Sequence, residues 1–375
     1  MNAETLFLHG GPDDGPPVRH DFSTNANACG PCLEVLAAVR HADATRYPDP
    51  RYHALRERLA GFHGVAPERV LIAGSASEFI FRLTAAVARR GGGTVALPRH
   101  GYGDYLRAAR AWGLVPCAAP GEPDDAGADD PATMPTPAPA LAWFCDPSSP
   151  LGQPVAGLGP RIDRLDMATT CVLDLAYEPL RLDGTLGLGP AQLERVWQLW
   201  TPNKALGLTG VRAAHAIAPS GDVELRELLM LMAPSWATGA HGVALLDGWT
   251  RQSVQDWLRD SRVHLRAWRD GFLTLCGEHG WRAGSSVANF LCVDPDVDDI
   301  DHWVASLRDA GIKVRPTASF GLPGQCRLAV LPPRAQDALR AAVSGPAFPG
   351  RASAPASCSR RSSCRARHWA LLPPA

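Results

Sequence analysis

A chain of 375 residues that is 46% hydrophobic is long enough for one large domain and a smaller one, each with its own core. A formal charge of -1, with 20% charged residues, gives no basic field to hold a phosphate backbone or an anionic membrane, so neither nucleic acid nor membrane is an expected partner. The start, MNAETLFLHGG, lacks a positive stretch followed by an apolar core, and no apolar run approaches membrane-spanning length; the expectation is a cytoplasmic enzyme.

In chain order, the first candidate helix is LEVLAAVRHA, opened by the Gly-Pro turn of CGPC at Cys29 to Cys32. That tetrapeptide copies the dithiol spacing of thioredoxin-like oxidoreductases, in which a strand feeds the first cysteine and a helix N-terminus activates it. The polar HDFSTNANA before it is no such strand, which favours a turn and helix over redox chemistry. The ten cysteines are scattered through the chain and read as reduced thiols.

From Val65 onward short apolar runs alternate with amphipathic runs of helical length. RVLIAG, TVALP, ALAWFCD, TCVLDLAY, VWQLWT and AAHAIA read as strands, SEFIFRLTAAVARR and YGDYLRAARAWG as helices. Nearly continuous apolar strands of this kind are buried on both faces, which predicts an α/β fold with a mainly parallel central sheet flanked by helices. After about residue 235 the pattern changes to a long helix, TRQSVQDWLRDSRVHLRAWRDGFLTLCGEHG, then VANFLCVD, the helix DDIDHWVASLRDAG and the strands IKVRP and CRLAV. The expected division is a large domain over 46–235 and a smaller α+β domain over 236–345, joined by the N-terminal segment 1–45. The stretch 120–140, rich in Pro, Ala and Asp, reads as a surface connection, and 346–375 as a disordered tail.

Of the 37 lysines and arginines only Lys204 and Lys313 are lysine. A desolvated lysine amine condenses with carbonyls and arginine does not, so a lysine kept at a strand's end is a candidate nucleophile. Thr201 lies three residues before Lys204 and Arg212 eight after it. A hydroxyl, an amine and a guanidinium so clustered suit a phosphorylated aldehyde, the amine taking the carbonyl and the others the phosphate.

At these residues the sequence resembles the fold-type I pyridoxal-phosphate (PLP) enzymes of the class I and II aminotransferase group, and the resemblance runs to about residue 345. It implies PLP held by Lys204 as a Schiff base, with Thr201 and Arg212 on its phosphate. Asp174 would pair with the pyridine nitrogen and Tyr177 with the ring hydroxyl. Ser75, Ala76 and Ser77, at a strand-to-helix turn, would cradle the phosphate. Tyr102 matches the aromatic that stacks on the ring, with His100 close enough to leave the register open. Tyr47 matches a tyrosine that reaches across a dimer interface to the neighbouring PLP phosphate, which implies a homodimer. Arg327 would grip a substrate carboxylate, and Asn25 or Asn27 together with Asn289 would line the substrate side. No metal is called for.

One segment departs from the family pattern. Where the family reads Asn-Pro-x-Asn-Pro-Thr-Gly, this chain has DPSSPLG over 146–152, so Ser149 stands where an asparagine would donate to the ring hydroxyl. The expected function is a PLP-dependent aminotransferase acting on an amino acid or phosphorylated amine. HGG followed by DFSTNAN is similar to the threonine-phosphate decarboxylases of cobalamin synthesis, which keeps decarboxylation of L-threonine-O-3-phosphate as an alternative. A non-catalytic PLP-fold protein, weakened at Ser149, is another.

Overall fold

The structure is a computed structural model that describes residues 9–119, 138–345 and 348. Most of the predicted 120–140 connection, and the tail 346–375 apart from Phe348, lie outside the described residues. The chain begins with a short strand, His20–Asp21 (β1), followed by helices Leu33–Arg40 (α1) and His53–His63 (α2). Alternation then follows the apolar periodicity: Val70–Ala73 (β2), Ala76–Arg89 (α3), Thr94–Leu97 (β3) and Gly103–Ala111 (α4). Val115–Ala118 (β4) is a mostly exposed edge strand containing a proline, so no buried apolar run marks it in the sequence. The large sheet is completed by Leu141–Cys145 (β5), with Leu158–Asp163 (α5) behind it, and Thr170–Asp174 (β6). Pro190–Leu193 (α6), Trp197–Trp200 (β7), the single turn Pro202–Ala205 (α7) and Ala214–Ile217 (β8) follow.

Seven strands form one sheet in the order β2-β8-β7-β6-β5-β3-β4, and all but β8 run the same way. This is the mainly parallel sheet expected from the continuous apolar runs. Its central strands bury both faces, with Leu141, Trp143, Val172, Leu173, Trp197 and Leu199 all in the core. Because these strands are parallel, the segments that leave β2, β3, β5, β6 and β7 all project from one edge, where open α/β sheets hold their ligands. Helix α3 starts sharply at that edge because Ser75 Oγ accepts from the Glu78 N–H at 3.0 Å, a cap that stabilises a helix by about 1 kcal/mol.

Helices Val223–Leu231 (α8), Ala240–Trp249 (α9) and Gln252–Glu278 (α10) lead into the second half. There Arg282–Ala283 (β9) and Phe290–Asp294 (β10) precede Ile300–Asp309 (α11), Ile312–Lys313 (β11), Arg315–Pro316 (β12), Cys326–Ala329 (β13) and Pro333–Val343 (α12). The single strand read from IKVRP is divided. Ile312–Lys313 pairs in parallel with β1, whereas Arg315–Pro316 joins the antiparallel sheet β12-β13-β10-β9. Buried Val314 separates the two pieces, and Pro316, with no N–H to donate, ends the second. Lys313 meets Asp13 at 2.6 Å and Arg308 meets the same carboxylate at 2.7 Å, which pins the segment after His9 to this sheet. No helix of the described residues is long and apolar enough to cross a membrane.

On β8, fully buried His215 has its Nε2 2.9 Å from His63 Nε2, so the two imidazoles share one hydrogen. Burial brings His63 down to about 4, and burial followed by the neighbouring His63 pushes His215 well below its ordinary value. Unfolded imidazoles protonate near 6.5, so the stability this neutral pair contributes is complete above that pH and is lost as pH falls toward about 4. Melting temperatures measured through that window are expected to fall more steeply than those of a His63→Gln, His215→Gln double variant. Parallel curves would show that the pair does not titrate with unfolding.

Candidate active site

The edge where the parallel strands end encloses a cavity of about 250 Å³ lined by Ser75, Ala76, Ser77, Tyr102, Ser149, Asp174, Tyr177, Thr201, Lys204 and Arg212. An adjoining cavity of about 170 Å³ shares Tyr102, Ser149, Tyr177 and Lys204 and adds Asn25, Arg315 and Arg327. Residues far apart in the chain meet because each lies within a few positions of the end of a strand in the large sheet, or on the small sheet facing it.

Lys204 is placed by the short turn after β7, and that turn is braced from outside. The Asn27 N–H donates to the Lys204 C=O at 2.9 Å, and Asn27 Nδ2 donates to the Ala205 C=O at 3.0 Å. Lys204 Nζ lies 5.3 Å from the centre of the Tyr177 ring and makes no ion pair among the described residues. Asp174, the last residue of β6, is only 4% exposed. Its Oδ2 accepts from the Tyr105 hydroxyl at 2.6 Å and its Oδ1 from the Ala176 N–H at 2.9 Å. Burial raises the pKa of this carboxyl, and the Tyr105 hydrogen bond, the Lys204 charge and the Ala176 N–H oppose that rise. Tyr105 is held flat against Trp143, with ring centres 4.7 Å apart.

Tyr102 caps α4, its hydroxyl 3.2 Å from Ser77 Oγ, and it is Tyr102 and not His100 that lines the cavity. At the other end Thr201 Oγ1 and Asn203 Oδ1 are buried without a hydrogen-bond partner, beside Arg212 and the first turn of α3. Helix geometry leaves the N–H groups of such a turn without intrahelical acceptors. In the outer cavity Arg327 is buried, donates from Nη2 to the Ser23 C=O at 3.0 Å and has an unpartnered Nε. Burial lowers its pKa. Asn25 Nδ2 reaches the Tyr177 hydroxyl at 3.4 Å and leaves its Oδ1 without a partner.

Two expected positions fall elsewhere. Asn27 holds the lysine turn and does not line either cavity. Asn289 is also outside them, donating to the Ala26 C=O at 3.0 Å and so fixing the segment that carries Asn25. Tyr47, expected to reach a neighbouring subunit, is 77% exposed, stacks on Trp236 with ring centres 4.2 Å apart, and lines neither cavity of its own chain. Conversely, Tyr105, Asn203, His9, Gly10, Arg315, Ser319 and Phe320 belong to the site without having been singled out for it. His9 and Gly10 lie in the quoted HGG opening, and Tyr105 had a usable signal one helical turn beyond Tyr102 in YGDY. CGPC serves as the turn that opens α1, with Cys32 at its N-cap, and burial raises the Cys29 pKa, the reverse of the activation a redox cysteine needs.

The family profile described as Aminotransferase class I and II matches residues 20–153 and 191–344, which include every strand end that builds the cavity except that of β6. The chain belongs to the class I and II aminotransferases. This aminotransferase is 30% identical over 337 residues to a histidinol-phosphate aminotransferase of Sphingopyxis alaskensis, covering 84% of this chain and 87% of that protein. Its fold matches the crystal structure of histidinol-phosphate aminotransferase from Sinorhizobium meliloti in complex with pyridoxal 5′-phosphate, with a TM-score of 0.73 at 22% identity over 92% of this chain and 96% of the other. It also matches L-threonine-O-3-phosphate decarboxylase from Porphyromonas gingivalis, with a TM-score of 0.71 at 20% identity over 86% of this chain and 98% of the other. Both structural likenesses are likenesses of fold; the aminotransferase's own chemistry rests on its cavity.

Proposed function

We propose that this aminotransferase works with pyridoxal 5′-phosphate carried on Lys204 and takes the amino group from a phosphorylated amine or amino acid. The observation that carries this reading is the single cavity that brings one amine, one buried carboxylate and a set of phosphate donors together. The residues fit the cofactor. Thr201 Oγ1 is a buried hydroxyl in want of a partner, Arg212 offers a planar fork, and Ala76 and Ser77 present first-turn N–H groups. Tyr102 and Tyr177 supply aromatic walls, and Ser149 keeps one hydroxyl donor where the family has an amide.

When bound, the cofactor supplies a carbonyl to receive the amino group and an electron sink for the pair left at Cα. Asp174, whose ionised form the Tyr105 and Ala176 donors favour against the effect of burial, would pair with the pyridine nitrogen. Lys204 Nζ, which lines both cavities, would be the base that takes and later gives back the substrate Cα proton. Arg327, with its free Nε, takes a substrate carboxylate or phosphate, and Arg315 stands beside it for a second anionic oxygen. Burial, with Arg327 as the next cause, lowers Arg315 to about 10, so its guanidinium is charged at neutral pH.

Decarboxylation of L-threonine-O-3-phosphate is the second reading, favoured by His9 and Gly10 of the HGG opening, which line both cavities. The exposed Tyr47–Trp236 stack supports a homodimer in which Tyr47 serves the partner's site. The deciding experiment mixes PLP-loaded protein separately with L-histidinol phosphate and O-phospho-L-threonine, recording released CO2 and the visible spectrum. Conversion of the cofactor to its amine form without CO2 is the expected result, and sedimentation of the same sample should give a dimer's mass. CO2 released with turnover from O-phospho-L-threonine would replace transamination by decarboxylation. No spectral change with either would refute both readings.

A further inference from the structure

A contact just outside the cavity governs how its outer wall is held. His100, in the loop between β3 and α4, has Nδ1 2.7 Å from the Phe320 C=O. A carbonyl oxygen accepts only, so Nδ1 carries the hydrogen and donates it. The bond joins the two sheets: His100 follows a strand of the large one, and Phe320 lies in the turn between β12 and β13 of the small one. Both arginines rest on that turn. Arg315 Nη2 donates to Ser319 Oγ at 2.7 Å, and the Phe320 ring lies 5.0 Å from the Arg315 guanidinium carbon and 5.9 Å from that of Arg327. Within the turn, Thr317 Oγ1 shares its hydrogen between the Leu322 and Gln325 carbonyls, each at 2.8 Å, which ties the turn's two sides together. On the other side of the bond, Tyr102 is two residues from His100 and lines the same outer cavity as Phe320. A shift of the turn against the His100 loop would therefore change the gap between the arginines and the aromatic wall.

We propose that His100 is a positioning residue that fixes the arginine-bearing turn against the large sheet and thereby sets affinity for anionic substrates. It touches neither cavity itself. The inference rests on the reading of Arg327 and Arg315 as ligands for substrate anions, and the test separates the two.

PLP-loaded wild type, His100→Phe, His100→Asn and Arg327→Ala are titrated with L-histidinol phosphate and O-phospho-L-threonine, following half-saturation and kcat, and each variant's cofactor absorption and melting temperature are recorded first. Loss of one hydrogen bond at a hinge of this kind is expected to raise half-saturation about tenfold in His100→Phe, with kcat within about twofold and cofactor absorption unchanged. His100→Asn places an amide N–H where the imidazole Nδ1–H stands and is expected to restore half-saturation to within about twofold of wild type. If Arg327→Ala raises half-saturation but His100→Phe does not, the positioning role is wrong and the arginine reading stands. If Arg327→Ala leaves it unchanged, or neither compound binds the wild type, the underlying reading fails and takes this inference with it. Equal impairment of His100→Phe and His100→Asn, or loss of kcat and cofactor absorption together, would mark a general packing role and overturn the proposal.

Discussion

Lys204→Ala protein, loaded with PLP and dialysed, is expected to lose the visible absorption of lysine-bound cofactor and to turn over at least roughly 10⁴-fold more slowly, since nucleophile and base are removed together. The structure makes the experiment sharper than usual. Lys204 presents its amine to the cavity without an ion pair among the described residues, while the chain's other lysine, Lys313, is bound to Asp13 and to the Gly11 C=O at the N-terminal segment. No second amine from a lysine stands ready to substitute. Lys204→Arg keeps the positive charge but lacks an amine that condenses with a carbonyl, so it should fail in the same way. Borohydride reduction followed by peptide mass analysis reads the attachment point directly. An adduct on Lys313, or retained absorption in Lys204→Ala, would overturn the assignment.

The second large effect is expected at Asp174. Asp174→Asn preserves shape and one acceptor oxygen but removes the buried carboxylate proposed to pair with the pyridine nitrogen, and kcat should drop by about 10²–10³-fold, the scale seen when one preorganised electrostatic partner is lost. Cofactor retention should change little, because on the proposed reading Thr201, Arg212 and the first turn of α3, which line the other end of the cavity, would hold the phosphate. The Tyr105 hydroxyl provides a graded control. It donates at 2.6 Å to a carboxylate whose pKa burial raises, and it opposes that rise. Tyr105→Phe therefore raises the Asp174 pKa further. Asp174 must be ionised to act, so activity should be lost first at the acid end, with the acidic limb of the kcat profile moved to higher pH. An Asp174→Asn enzyme within about tenfold of wild type would mean that the ring nitrogen does not depend on this carboxylate.

The parts of the site that could be read along the chain share a physical feature. Asp174 ends an apolar strand, Lys204 and Thr201 follow another, and Ser75 to Ser77 open a helix after a third, so each sits where periodicity breaks. Asparagines were less legible. Asn25, Asn27 and Asn289 are alike in composition and neighbourhood, yet only Asn25 lines a cavity; the other two spend their amides on the backbone of the Lys204 turn and of residue 26. An amide side chain pairs equally well with a ligand or a carbonyl, and nothing local distinguishes them.

What the sequence determined by itself was the alternation that produces a mainly parallel sheet, the lysine kept at a strand's end, and the hydroxyl, carboxylate and guanidinium spaced around it. Each is a short-range property: burial on two faces demands continuous apolar runs, and strand ends place the residues that follow them. Only the tertiary structure decided that Tyr105 would donate to Asp174, that IKVRP would divide between two sheets, and that His9, Arg315 and Phe320 would close the outer cavity. Those outcomes depend on contacts such as His100 to Phe320, 220 residues apart, whose partners are chosen by the packing of one sheet against another and leave no period in the chain.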